Sequence, residues 1–332
     1  MKIIVENKIP YINGVLEPAG EVVYLAPEEI TAEAVKDADA LFIRTRTRCD
    51  SNLLEGSRCH FIATATIGTD HIDLDYCRAH DITVANAPGC NAPAVAQYVM
   101  SAIINRYGPF LDGLRLGVVG VGHVGSIVSA WGHSLGLDIM ECDPPRAEKE
   151  VGNHFASLND IAAGCDIITF HTPLTREGAY PTFHLADEKF FNSLERKPFV
   201  INSARGSIMD TPAAIRAFDD GKVSHLVIDC WEGEPNISLP LLEKAFIATP
   251  HIAGYSREGK IRATAMTVEA FSRHFGVKVN PLSVELPGPV KQSVTTAEIL
   301  QTTNILNDSA LLKMYPDRFE SLRNEYHLRP EP

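Results

Sequence analysis

The apolar run Leu116-Gly117-Val118-Val119 leads directly into Gly120-Val121-Gly122-His123-Val124-Gly125 and then into a helical stretch. No other junction in the chain restricts the fold as much. Each glycine of this G-x-G-x-x-G has a physical task. Gly120 permits a tight turn, Gly122 lets the backbone approach a pyrophosphate, and Gly125 lets the helix pack closely on its strand. With His123 and Val124 the loop forms a helix N-terminus, which offers N–H donors and a positive dipole end to an anion. The pattern also requires an acid at the end of the next strand, about 20 residues on. Asp143, in Glu141-Cys142-Asp143-Pro144-Pro145-Arg146, meets that requirement. A carboxylate there accepts ribose hydroxyls and repels a 2′-phosphate, so the cofactor expected is NAD rather than NADP.

Short β-branched runs alternate with longer helical patterns along the chain, as in doubly wound parallel sheets. The strands expected are Ile3–Val5, Val22–Leu25, Leu41–Ile43, Phe61–Ala65 and Thr83–Ala85. A second set comprises Leu116–Gly120, Ile139–Cys142, Ile167–Phe170, Phe199–Asn202, Leu226–Asp229 and Ile247–Thr249. All are uniformly apolar, as strands covered on both faces should be. The fold class expected is α/β, with two doubly wound parallel-sheet domains: a Rossmann NAD domain over 93–255 and a flavodoxin-like substrate domain over 1–92 and 256–280. Residues 281–332 are polar, and Tyr315, Phe319, Leu322 and Tyr326 are read as their apolar anchors. This small segment is expected to dock on the body or to pair with a second subunit as a dimerisation segment.

Composition narrows the function classes. The 332 residues carry a net charge of -12, which argues against nucleic-acid or anionic-membrane partners. A small anionic substrate remains compatible, because a few local arginines outweigh a distant acidic surface. No window approaches the ~18 apolar residues of a membrane span. The seven cysteines are scattered and never spaced C-x-x-C, which suits a reducing, cytoplasmic compartment and no metal site.

Polar residues follow three further strands. Asn202-Ser203-Ala204-Arg205-Gly206 follows one, Asp229-Cys230-Trp231-Glu232-Gly233-Glu234-Pro235 another, and Thr249-Pro250-His251-Ile252-Ala253-Gly254 a third. Ligands of open α/β sheets bind beyond the carboxyl ends of the strands, so these loops should share a crevice with the glycine loop. Hydride transfer at a hydroxy acid needs an arginine, an acid and a histidine of this kind. Arg205 can clamp an oxygen with its planar fork. His251 can take the hydroxyl proton as hydride leaves, and Glu234 can orient the imidazole and stabilise its cation. Oxidation requires His251 neutral beforehand; reduction requires it protonated.

Taken in this order, the four motifs resemble the D-isomer-specific 2-hydroxyacid dehydrogenase family from about Leu41 to Phe275. The resemblance implies that Arg205, Glu234 and His251 are catalytic. It implies that Asp143, Thr172, Asp229 and Gly254 contact NAD, and that Thr45, Thr66 and Tyr255 contact the substrate. Thr64–His71, Ala87–Ala92 and Phe170–Leu174 narrow the likeness to a branch acting on a phosphorylated sugar acid. Arg44, Arg46 and Arg48 are candidates for neutralising its phosphate. Relatives usually carry Cys where Ser203 stands and Glu where Gln97 stands, and the C-terminal part is shorter than theirs. That part also resembles a dimerisation domain over Pro316–Tyr326, so a homodimer is implied. Dehydrogenases of glycerate, lactate or 3-phosphoglycerate, and an NAD-responsive scaffold on the same fold, are the alternatives.

Overall fold

Every strand pairing in the computed structural model, which describes residues 1–150, 152 and 155–332, is parallel. The chain divides into two compact units, Met1–Asn91 with Arg257–Pro289, and Ala92–Ser256 with Val290–Pro332.

The first unit holds β1 (Lys2–Glu6), β2 (Glu21–Leu25), β3 (Ala40–Ile43), β4 (Phe61–Thr64) and β5 (Thr83–Ala85), in the order β2-β1-β3-β4-β5. This is the flavodoxin-like order, with its reversal between β1 and β3. β1, β3 and β4 sit inside the sheet, and apolar residues cover both of their faces. The helix Arg257–Phe275 joins this unit through Phe271, whose ring lies 5.4 Å from Phe42 and 5.8 Å from Phe61. Ring pairs of this kind add about 0.5–1.5 kcal/mol each beyond burial alone.

The second unit holds β6 (Arg115–Val119), β7 (Asp138–Cys142), β8 (Ile167–Phe170), β9 (Phe199–Asn202), β10 (His225–Ile228) and β11 (Ile247–Ala248). Their order is β11-β10-β9-β8-β6-β7, so the reversal falls between β6 and β8. The helix Ala92–Tyr107 is buried continuously from Ala92 to Ile104, as its nearly uninterrupted apolar sequence requires.

Residues 290–332 pack within the second unit. They form the helices Thr296–Gln301, Ile305–Met314 and Phe319–Asn324. Of the anchors read in the sequence, Phe319 is buried and Leu322 packs against the core, whereas Tyr315 is 40% exposed; Ile299, Ile305 and Leu312 are buried as well. Tyr315 stood out by type, but helical spacing decides which side chains turn inward. Arg329 locks the end of the segment. Its Nε donates to Gln97 Oε1 at 2.8 Å, and its Nη1 and Nη2 donate to the carbonyls of Ile252 and Ala94. Gln97 Nε2 in turn donates to Thr302 Oγ1 at 2.5 Å and to the Pro330 carbonyl at 3.1 Å. An amide can accept from Arg329 and donate to these groups at once; an ionised carboxylate at this position could not donate.

Candidate active site

The glycine loop lies at the carboxyl end of β6, beside the topological reversal. Gly120 takes φ +89°, and a Cβ there would lie 2.8 Å from the Thr172 nitrogen. A Cβ on Gly125 would lie 2.0 Å from the Gly120 carbonyl oxygen, so helix and strand close only on glycine. Gly122 caps the helix His123–Ser134, and a Cβ on it would meet nothing within 4 Å. Its open side faces a cavity of about 610 Å³ whose lining includes Val121, Gly122, His123, Arg146 and Glu150. Thr172 Oγ1, next to Gly120, is buried and bonds no group among the described residues. An exposed helix N-terminus, a cavity against it and a buried hydroxyl without a partner together fit a dinucleotide.

Asp143 follows β7 and stands at the rim of this loop. Its Oδ2 accepts from the Val121 nitrogen at 2.8 Å, and its Oδ1 accepts from the Arg146 nitrogen, capping the short helix Pro144–Ala147. The Arg146 fork is engaged by Glu150, at 2.6 Å and 2.8 Å, and its Nη1 donates to the Val121 carbonyl at 2.6 Å. All three nitrogens of that guanidinium are therefore engaged by neighbouring groups of the protein.

Three strand ends assemble the other cluster of the second unit. After β11, His251 adopts φ +55°, a left-handed conformation costly for a residue with a Cβ. Asp229, at the end of β10, holds that turn. Its Oδ1 accepts from Thr249 Oγ1 at 2.6 Å and from the Ile252 nitrogen at 2.8 Å, and its Oδ2 accepts from the Ala253 nitrogen at 3.0 Å. Its carboxyl is fully buried, and burial raises it above the usual carboxylate range, against the opposing charge of His251 and these hydrogen bonds. Glu234 Oε2 lies 2.8 Å from His251 Nδ1, while Glu234 Oε1 accepts from the Trp231 nitrogen at 2.7 Å. Burial works to raise the Glu234 carboxyl, but the hydrogen bond and charge of His251 outweigh it and hold the group below its ordinary value. With Glu234 ionised, Nδ1 carries the proton, which leaves Nε2 to take or give one.

Arg205 follows β9, and Asn202 Nδ2 fixes its carbonyl at 3.0 Å. Gly206 comes next, and a Cβ there would sit 2.0 Å from the Trp231 carbonyl oxygen, so this loop and the Glu234 loop touch backbone to backbone. Gly254 and Tyr255 continue the His251 turn, with Tyr255 N donating to the Ile252 carbonyl. Donor atoms of Cys230, Glu234 and His251 lie within 4.8 Å of one another. However, His251 Nδ1 is spent on Glu234, and burial pushes the Cys230 thiol well up. A hydrogen-bonded acid–base pair explains the cluster without a metal.

In the first unit Thr45 follows β3 and Thr66 follows β4. Glu6 Oε2 accepts from the Arg44 nitrogen at 2.8 Å and from Thr47 Oγ1 at 3.3 Å, which shapes the loop carrying Thr45. Thr66 Oγ1 lies 2.8 Å from Thr64 Oγ1, which lies 3.0 Å from His71 Nε2. Of the three nearby arginines, Arg48 pairs with Asp50 at 2.8 Å. Glu6 and His71 were not read as part of the site, because nothing in their local sequence distinguishes a buried loop-holding residue from an ordinary strand or turn residue.

Residues 96–253 match the family described as D-isomer specific 2-hydroxyacid dehydrogenase, NAD binding domain. Over 339 residues the chain is 49% identical to erythronate-4-phosphate dehydrogenase of Bacteroides fragilis, covering 100% of this chain and 97% of that one. The chain belongs to the D-isomer-specific 2-hydroxyacid dehydrogenase family. The enzyme of the same name from Escherichia coli is 38% identical over 348 residues, covering 100% of this chain and 92% of that one. Among solved structures, NAD+-bound 3-phosphoglycerate dehydrogenase of Entamoeba histolytica superposes with a TM-score of 0.71 at 25% identity. The match covers 85% of this chain and 99% of that one. A formate dehydrogenase of Staphylococcus aureus shares the fold at a TM-score of 0.67 and 21% identity.

Proposed function

We propose that this protein oxidises 4-phospho-D-erythronate to 2-oxo-3-hydroxy-4-phosphobutanoate, a step of pyridoxal 5′-phosphate biosynthesis. The observation that carries this reading is the His251–Glu234 pair on its strained turn, in a chain 49% identical throughout to a relative named for that substrate. NAD held at the glycine loop would supply the acceptor for the C2 hydride. His251 Nε2 takes the C2 hydroxyl proton, and Glu234 stabilises the imidazolium that results. Arg205 holds the substrate carboxylate or the reacting oxygen with its paired N–H groups.

The cofactor contacts proposed are Gly120, Gly122, His123, Val124 and Gly125 for the pyrophosphate and Asp143 for the adenosine ribose. Thr172, Asp229 and Gly254 serve the remainder. Thr45, Thr66 and Tyr255 contact the substrate, with Arg44, Arg46 and Arg48 as the candidates for its phosphate. In this reading residues 1–92 and 256–280 serve the substrate, 93–255 serve NAD, and 281–332 join a second copy. The exposed Leu306, Leu311 and Met314 of the last segment suit such a homodimer. Seven buried thiols suit a cytoplasmic location.

Isotope transfer tests the reaction. Substrate deuterated at C2 should give reduced cofactor carrying that deuterium, read by mass spectrometry. Reduced cofactor without the label would rule out transfer from C2.

A further inference from the structure

Beyond the residues given roles above, we infer that Arg323, from the C-terminal segment, is a positioning residue of the His251–Glu234 pair. This inference rests on the reading of that pair as the acid–base machinery. The helix Phe319–Asn324 puts Phe319, Leu322 and Arg323 on one face, at the i, i+3 and i+4 spacing. Phe319 is 1% exposed in the core of the second unit and Leu322 packs against that core, so the same face carries Arg323 inward. The arginine side chain is 21% exposed, and its Nη1 lies 3.9 Å from Glu234 Oε2. That is the same oxygen His251 Nδ1 bonds. Arg323 also donates to the Tyr255 hydroxyl, and the same Nη1 lies 3.8 Å from Glu320 Oε1.

One guanidinium thus lies within ion-pair reach of the acid of the pair and bonds the tyrosine proposed to meet the substrate. Its planar fork can fix both in a way a lysine point charge cannot. It also competes with the imidazolium for one carboxylate oxygen. A cation beside Glu234 makes the pair release its proton more readily, and oxidation begins from the neutral imidazole. The charged and titratable groups around the pair are Arg205, Asp229, Cys230, Tyr255 and Arg323, with Glu320 beside the last. Arg323 is the cation among them that comes from outside the strand-end loops.

The test uses the full-length protein and three variants. Arg323→Met should lower kcat for oxidation about 10-fold or more, with NADH affinity measured by fluorescence unchanged. The pH of half-maximal oxidation should rise by about half a unit to one unit, because the pair keeps its proton longer. Arg323→Lys should restore most of the pH midpoint but less of kcat. Glu320→Gln, at a half-exposed surface position, should move the midpoint the opposite way, since it removes the charge that screens Arg323. This last variant keeps the inference testable if the methionine variant does not fold. Unchanged kcat and midpoint in Arg323→Met, or an unchanged midpoint in Glu320→Gln, would overturn the inference. Failure of the underlying reading is distinguishable, because it would appear as turnover persisting in His251→Ala.

Discussion

His251 Nδ1 and Glu234 Oε2 lie 2.8 Å apart, and the histidine keeps that contact from a left-handed backbone at φ +55°. Strain of this kind, roughly 1–3 kcal/mol, persists only where surrounding groups fix it. Here the Asp229 carboxylate and carbonyl do so. A geometry held so firmly is expected to matter for proton transfer. His251→Ala should lose about 10²–10⁴-fold in turnover while NADH binding, followed by fluorescence, stays intact. Near-normal turnover would remove His251 as the base.

Asp143 both caps a helix and faces the cofactor loop. Asp143→Ala should cost about 1 kcal/mol of stability through the lost cap. It should also weaken NADH binding and relax discrimination against NADPH. Paired titrations of the two reduced cofactors read this directly, and an unchanged preference would count against the ribose contact.

Arg146 stands beside Asp143 with its fork occupied by Glu150. A guanidinium released from that carboxylate becomes a receptor for a 2′-phosphate. The double variant Asp143→Ala with Glu150→Ala should therefore bind NADPH about tenfold more tightly than Asp143→Ala alone, measured by titration without substrate. Equal affinities would mean that Arg146 is held elsewhere.

The C-terminal segment carries a pH signature of its own. Burial raises the Asp308 carboxyl from 3.8 to about 6, against the nearby charge of Arg329 and a hydrogen bond from the Tyr326 hydroxyl. An acid whose folded value is raised binds more protons folded than unfolded between these two pH values. It therefore subtracts stability as pH climbs from about 4 to about 6, and the full penalty stands above that. Asp308→Asn should raise the melting temperature at pH 8, by an amount equivalent to about 3 kcal/mol, and leave it nearly unchanged at pH 4. Equal effects at both values would assign the change to packing instead.

Much of this fold could be read from the sequence because its strands are short apolar runs, the inner ones buried on both faces, and all eleven lie within a residue or two of where those runs stand. The glycine loop and Asp143 were legible for a related reason: their spacing follows from backbone geometry close in sequence. Arg205, Glu234 and His251 could be named because each follows a recognisable strand. Arg323 could not be named, since an arginine in a polar tail looks solvated until Phe319, four residues earlier, turns its face inward. The Gln97–Arg329 lock joins residues 232 apart in the chain, and no local pattern announces it.

The most direct test of the central claim is the rate of NADH formation by the purified protein with 4-phosphoerythronate, beside erythronate, D-glycerate, D-lactate and 3-phosphoglycerate. A 2-oxo acid should be present to turn over tightly held cofactor. The expected result is a kcat/KM for 4-phosphoerythronate at least about 100-fold above that for erythronate, the scale of about 3 kcal/mol for a charge-assisted contact to the phosphate. Equal activity on erythronate, or higher activity on any of the other three acids, would contradict it.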